Sequence, residues 1–150
     1  MKKELQVAAL ENGTVIDHIP SENLFKVVAM LGLEKLSNSI TIGNNLNSSK
    51  EGTKGIIKIT NLYFDEKEIR KIALVAGNAK INIIRNYEVV EKNQITLPDE
   101  VIGIVKCNNL KCITNNEPMD TRFEVVNKEK GILKCQYCSH LLSKDQVVLK

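Results

Sequence analysis

The sequence contains few of the residues that usually define a function class. It has no tryptophan, three phenylalanines and three tyrosines, so aliphatic side chains must fill most of its core. With only two histidines, the sequence offers no convincing histidine-based catalytic set. Its net charge of +3 is too small to indicate the strongly basic surface of a typical nucleic-acid-binding protein. No apolar run approaches the ~20 residues of a membrane-spanning helix. We therefore expect neither nucleic acid nor a membrane as a partner.

The first residues also lack the features of a secretion signal. Met-Lys-Lys-Glu-Leu-Gln begins with basic residues, but no apolar segment follows. The sequence thus predicts a cytoplasmic protein. In that compartment thiols stay reduced, so clustered cysteines favour a metal site over a disulfide.

Cysteine is absent from the first two thirds of the chain and concentrated in the last third. The four cysteines form two pairs, with four residues inside the first pair, 22 between the pairs and two inside the second: Cys107, Cys112, Cys135 and Cys138. Four thiolates at this spacing are typical of structural, tetrahedral Zn²⁺, and we expect one ion per chain. Mononuclear iron and a disulfide or free thiols are the alternatives.

A site closed by four sulfurs also limits the chemistry of the chain. Such a site leaves no coordination position for water, so catalysis at the metal is not expected. His140 lies just beyond Cys138, but four sulfurs already complete the tetrahedron. We interpret His140 as a surface residue.

The pattern along the chain predicts two domains, residues 1–96 and 97–150, joined by a proline-containing linker around residues 93–100. In the first, strands and helices alternate. A helix is predicted after Pro20, and a second begins at Asp65 with Glu68 completing a capping box. Strands are predicted at Leu5–Ala9 with Thr14–Ile16, at Ile40–Ile42, Ile57–Ile59 and Ile81–Ile83, and at Tyr87–Val90.

These elements indicate an α+β fold, a ferredoxin-like sandwich in which two helices cover one face of an antiparallel sheet. The second domain is predicted to be a small all-β domain of the rubredoxin-like or zinc-ribbon type. Its short strands are expected around Val101–Val105, Phe123–Val126, Ile132–Lys134 and Val147–Leu149. A domain of about 50 residues buries little core and is commonly held together by a metal.

A few polar residues in the first domain are candidates for binding. Asp17 and His18 follow a predicted strand and suggest a small-molecule site, although such pairs are more often satisfied turn residues. Lys58 and Lys92 are each most simply solvated charges, but together they can meet a phosphate. Gly52-Thr53-Lys54-Gly55 lacks the spacing of a P-loop.

Several separated motifs occur in one order: GTVIDHIP at 13–20, ITIGNNL at 40–46, IKI at 57–59 and NYEVV at 86–90, with the cysteine pairs behind them. In this order, over nearly the whole chain, they resemble the regulatory chain of aspartate carbamoyltransferase. The resemblance implies no catalysis in this chain. It implies a domain that binds the effectors CTP, ATP and UTP, and a zinc domain that docks on the catalytic chain.

The resemblance also implies a biological role and an assembly. The effectors would allosterically control the first committed step of pyrimidine biosynthesis, and regulatory dimers would bridge catalytic trimers. The base and ribose pocket of the family corresponds to Val7, Ala9, Leu10, Val15, Asp17, Tyr87 and Val89. Its ribose and phosphate contacts correspond to Asp17, Lys58 and Lys92 and, at the triphosphate end, to His18 and Asn82. Asn109 and Glu117 match family positions that bond to the catalytic chain.

Two other functions stay open from the residues alone. A zinc ribbon can bind nucleic acid, although residues 99–150 contain eight basic and seven acidic residues and so no basic surface. A redox or metal-transfer protein could use Cys135-Gln-Tyr-Cys138.

Overall fold

The computed structural model describes residues 10–48 and 52–149. The chain divides into two units, residues 1–96 and 97–150. Within the described ranges, none of the helices is both long enough and apolar enough to cross a membrane.

The first unit is a five-stranded antiparallel sheet with two helices. Its strands are β1 (Gly13–Pro20), β2 (Ile40–Ser48), β3 (Gly52–Thr60), β4 (Lys80–Arg85) and β5 (Glu88–Gln94). The order across the sheet is β2-β3-β1-β4-β5. The first four strands follow the ferredoxin-like order with β1 in the middle, and β5 adds an edge. This arrangement confirms the predicted α+β sandwich.

Helix α1 (Leu24–Met30) connects β1 to β2, and α2 (Glu66–Val75) connects β3 to β4. Short 3-10 turns at Ser21–Asn23 and Leu33–Lys35 flank α1. The predicted helix after Pro20 therefore begins as a 3-10 turn and becomes α-helical at Leu24.

Alternation along the strands separates a helix-covered face from an open face. Gly55 of β3 lies against α1, since a Cβ built there would be 2.7 Å from Cδ1 of Leu24. Ile57 and Ile59, two and four residues further along, share that face and are fully buried. Ile57 pairs with Ile16 of β1, and Ile16 in turn pairs with Ile81 of β4. Each such side chain contributes roughly 1.5–3 kcal/mol by leaving water.

The start of α2 has the predicted capping box. The Asp65 carboxylate accepts a hydrogen bond from the Glu68 amide (2.8 Å), and the Glu68 carboxylate accepts one from the Asp65 amide (3.3 Å). The two bonds satisfy donors that a helix start otherwise leaves without partners.

The predicted strand at Tyr87–Val90 begins one residue too early. Asn86 (φ 53°) and Tyr87 (φ 66°) are both left-handed and form the turn between β4 and β5, so β5 starts at Glu88. Two consecutive left-handed residues match the twist of a two-residue hairpin. The turn is anchored by hydrogen bonds from the Tyr87 amide to the Glu11 carbonyl (2.9 Å) and from the Asn86 amide to Asn12 Oδ1 (3.2 Å). The predicted strand at Leu5–Ala9 lies outside the described residues.

The second unit is all-β, as predicted. Its four-stranded sheet has the order β10-β9-β8-β6, and a two-stranded sheet pairs β11 with β7. The strands are β6 (Glu100–Ile102), β7 (Val105–Lys106), β8 (Arg122–Asn127), β9 (Ile132–Cys135), β10 (Leu141–Ser143) and β11 (Val148–Leu149). Two 3-10 turns, Ile113–Asn115 and Lys144–Gln146, complete it.

The single strand predicted at Val101–Val105 is wrong. Gly103 has a left-handed φ of 71° and breaks the segment into β6 and β7, which join different sheets. Its amide donates to the Thr121 carbonyl at 2.8 Å. Phe123, Leu133 and Leu142, all fully buried, form the core of this unit.

We expect Asp65→Ala to destabilise the first unit by about 1 kcal/mol, because the first turn of α2 loses its cap. Denaturant unfolding followed by far-UV circular dichroism measures this change. Asp65→Asn is the matched control, since it keeps the accepting oxygen and should cost much less. Equal losses in both variants would show that the cap does not stabilise α2.

Candidate functional site

The open face of the first sheet carries a row of four residues, one from each of four neighbouring strands. Lys58 of β3 pairs with Val15 of β1, Val15 pairs with Asn82 of β4, and Asn82 pairs with Lys92 of β5. We call these four residues the cross-sheet row. Three of them belong to strands far apart in sequence, so only the pairing of the strands brings them together.

The row differs in burial from one end to the other. Val15 is buried, Lys58 and Asn82 are half-buried, and Lys92 is exposed. Burial lowers the pKa of Lys58, and the nearby negative charge of Asp17 opposes that change. A partly desolvated ammonium group gains more from an anionic ligand than a fully hydrated one does.

Asp17 lies two residues beyond Val15, on the same face, and is already paired. Its carboxylate oxygens lie 3.0 Å and 3.3 Å from Nζ of Lys54, and one accepts a 2.7 Å hydrogen bond from the His18 amide. Lys54 was missed by the sequence reasoning. The available signal was its spacing from Lys58, because residues four apart in a strand share a face.

His18 stands at an irregularity in β1. The pairing of β1 with β3 shifts register between Ile16 and Ile19, and His18 has a φ of 61°. Such bulges re-aim side chains. The Nδ1 atom of His18 is buried, lies 3.4 Å from the Asp17 carboxylate and makes no hydrogen bond. This nitrogen is therefore shielded from solvent beside Asp17, whereas the His18 side chain as a whole is 36% exposed.

The remaining predicted residues lie toward the opposite end of β1. Leu10 precedes the strand and is half-buried, whereas Tyr87 and Val89 are 66% and 45% exposed. The bond between Tyr87 and Glu11 holds this end together. Val7 and Ala9 lie outside the described residues. The candidate site is thus elongated, with charged groups near Asp17 and apolar side chains at the other end.

The four cysteines form a second candidate site. Their sulfur atoms all lie within 4.8 Å of one another, with Cys107 to Cys138 at 3.6 Å and Cys112 to Cys135 at 3.8 Å. Tetrahedral zinc with bonds of about 2.3 Å requires sulfur atoms about 3.8 Å apart. The donor set fits a tetrahedral metal ion.

The surroundings of the sulfurs also fit a cation. Burial raises the pKa of the Cys107 thiol to about 12 and also raises that of Cys135. Burial works in the same direction at Cys138, but hydrogen bonds from the Asn109 side chain and the His140 backbone bring its pKa down to about 7. A metal ion among the sulfurs supplies the positive charge that stabilises all four thiolates.

Comparison with known proteins decides the family. The profile described as aspartate carbamoyltransferase regulatory chain, allosteric domain, matches residues 5–96, and that described as its metal binding domain matches residues 99–148. The chain belongs to the aspartate carbamoyltransferase regulatory chains. It is a regulatory rather than a catalytic chain, its second unit is a metal-binding domain, and the catalytic chain is its partner.

Relatives that differ in their sequence identity to this chain carry the same name. The regulatory chain of Parabacteroides distasonis is 63% identical over 99% of this chain and 97% of its own length. That of Phocaeicola vulgatus is 60% identical over 99% and 96%. The chain of Pyrococcus horikoshii is 45% identical over 97% of each protein. The resemblance read from the motifs is confirmed.

The two residues predicted to dock on the catalytic chain lie near the first cysteine pair. Asn109 is half-buried between Cys107 and Cys112, and its Oδ1 accepts a hydrogen bond from the Lys111 amide at 3.1 Å. Glu117 is exposed, and its amide donates to the Ile113 carbonyl at 2.9 Å. The side chain of His140 is exposed, and among the described residues the metal-holding group consists of the cysteines alone.

We expect chelation of the metal to unfold the second unit while α2 stays folded, because so small a core depends on its metal. A thiol titration should count four newly reactive cysteines per chain after chelation and few before it, with circular dichroism followed in parallel. Cys135→Ser, which leaves three cysteines, should show the same loss of folded structure in the second unit without chelator. Four thiols that react readily before chelation would contradict a metal-bound site.

Proposed function

We propose that the first unit binds nucleoside triphosphates on the open face of its sheet and so controls the catalytic chain. The observation that carries the proposal is the cross-sheet row, which places Lys58 and Lys92 at the two ends of one line in a domain of the allosteric type. CTP, ATP and UTP are the proposed effectors. The controlled reaction is proposed to be the first committed step of pyrimidine biosynthesis.

The charges of the site suit a polyphosphate. Three strand spacings separate Lys58 from Lys92, roughly 14 Å between backbones, and both side chains can extend inward over a ligand lying between them. Asn82, midway, offers an amide donor. The His18 side chain, which is 36% exposed, lies at the charged end and is proposed as a further polar contact for the terminal phosphate.

The opposite end of the site suits a base, and the ribose is proposed to lie between that end and Asp17. Val15 provides a buried apolar floor, and Leu10, Tyr87 and Val89 are proposed to line the base pocket. The correspondence with the family adds Val7 and Ala9, which lie outside the described residues. Asp17 is proposed to accept hydrogen bonds from ribose hydroxyls while Lys54 holds its carboxylate in place. One pocket can accept different bases, and their different fits give effectors opposite consequences.

Control then requires two states of the assembly. An effector shifts the equilibrium only by its difference in affinity between them. Couplings of this type amount to ~1–3 kcal/mol, and a ligand at the catalytic site must change effector affinity by the same factor.

The second unit is proposed to hold one Zn²⁺ per chain and to dock on the catalytic chain through Asn109 and Glu117. Regulatory dimers bridging catalytic trimers are the proposed assembly. We place the complex in the cytoplasm, where thiols stay reduced and available to the metal.

Replacing either end of the cross-sheet row should weaken nucleotide binding. Lys58→Ala and Lys92→Ala each remove a charge-assisted hydrogen bond of about 1.5–3 kcal/mol, or roughly tenfold to a hundredfold in Kd. Calorimetric titration with CTP and with ATP measures the change.

Lys67→Ala is the matched control for that experiment, because Lys67 is an exposed lysine of α2 and lies away from the open face. Its Kd should equal that of the unmodified chain. The proposed site fails if both row variants bind as tightly as the control, or if the unmodified chain binds neither nucleotide.

Binding should also depend on alkaline pH through Lys58. Since burial lowers its pKa, Lys58 loses its proton at a lower pH than an ordinary lysine, and affinity should fall as the pH rises through that range. Lys58→Arg stays charged there, so its affinity should fall less steeply. Calorimetry at stepped pH compares the two, and parallel pH profiles would exclude Lys58 as the titrating contact.

A further inference from the structure

Asn115 ties together the loop that contains the first two cysteines. We call residues 107–112 the metal loop. The side-chain amide of Asn115 donates to the carbonyl of Cys107 and to the carbonyl of Asn109, both at 2.8 Å. One side chain thus bridges the backbone of a metal ligand and the backbone of a proposed docking residue.

Asn116 holds the other half of the metal loop. Its side-chain amide donates to the carbonyl of Cys112 at 2.9 Å and to that of Leu110 at 3.4 Å. The two neighbouring asparagines therefore contact four of the six carbonyls in the loop. Within the loop itself, the Cys112 amide donates to the Asn109 carbonyl at 2.9 Å.

The length of the metal loop explains why such support is needed. With four residues between its cysteines, it is longer than the two-residue spacing between Cys135 and Cys138. Ordering each additional residue costs backbone conformational entropy. Side-chain amides that hold the carbonyls restrict the loop, as residues outside the ligand set commonly do at metal sites.

The same loop also points outward. Leu110 at its tip is 77% exposed, and Oδ1 of Asn109 fixes the Lys111 amide. Asn109 is thus held on its backbone by Asn115 and on its side chain by the next turn of the loop. Any shift of the loop moves the Cys107 ligand and the outward-facing residues together.

We propose that Asn115 is a positioning residue that couples metal binding to docking of the catalytic chain. It does so by tying the Cys107 ligand and the Asn109 docking residue into one hydrogen-bonded unit. The docking half of this inference rests on the function proposed above. By linkage, docking raises the affinity for the metal by the same factor by which the metal raises docking affinity, and Asn115 transmits that effect.

The test uses Asn115→Asp, which removes the side-chain amide donor with little change in side-chain shape. Zinc release to a chromophoric chelator is timed for the isolated chain and for the complex with catalytic chains, in the unmodified protein and in Asn115→Asp. Isolated Asn115→Asp should bind zinc about 10–100-fold more weakly, the usual range for such supporting residues, and should therefore release it faster. At saturating zinc, its affinity for the catalytic chain should fall about tenfold.

Two further variants separate the amide from charge and from misfolding. Asn115→Ala removes the donor without adding a charge, so it should speed zinc release and weaken docking as Asn115→Asp does. Asn115→Gln keeps the donor and should lie between the unmodified protein and Asn115→Asp. If Asn115→Asp takes up no zinc, the comparison is made between Asn115→Gln and the unmodified protein.

The outcomes distinguish this inference from the function on which it rests. Unchanged zinc release in Asn115→Asp or in Asn115→Ala overturns the inference. Faster release with unchanged docking affinity at saturating zinc overturns the coupling. If the unmodified chain does not bind the catalytic chain, the docking proposal fails, and faster zinc release from Asn115→Asp would still support the tie to Cys107.

Discussion

The first unit depends on the central position of β1 in its sheet. Because side chains alternate along a strand, this one segment directs Ile16 toward the helices and Val15 toward the open face. Its pairing with β3 and β4 then fixes which residues of those strands lie beside Val15. If the pairing of β3 with β1 slipped by one residue, the side chains of β3 would change faces. Lys58 would then be buried under the helices, and the apolar core residues of β3 would be exposed. The same hydrophobic burial that stabilises the sheet therefore sets the position of the candidate binding groups.

The second unit depends on a different constraint, the approach of four sulfur atoms to one point. Its short strands bury only a small core around Phe123, and three of the four cysteines are buried with it. Hydrogen bonds from Asn115 and Asn116 order the longer of the two cysteine loops. Metal binding and the shape of this loop therefore depend on each other, because the outward-facing residues belong to the same backbone segment that supplies two of the ligands.

The folds of the two units could be predicted from the sequence to different extents. Periodicity indicated the helices and strands of the first unit, and Asp65 with Glu68 marked the start of α2 correctly. The turn at Asn86 and Tyr87 was missed because tyrosine rarely adopts a left-handed conformation, and here bonds to Glu11 and Asn12 hold it. In the second unit, Gly103 looked like a residue within a strand, whereas it separates two strands that belong to different sheets.

The sequence by itself determined the family, the α+β order of the first unit and the identity of the metal-binding residues. These depend on local spacing and on residue type, which a single chain displays directly. The tertiary structure decided that Lys58, Val15, Asn82 and Lys92 form one row, that Lys54 pairs with Asp17, and that Asn115 supports the metal loop. Each of these contacts depends on strand register or on the folding of a loop onto a distant side chain. Such geometry is set by long-range burial of the core, which local sequence patterns do not encode.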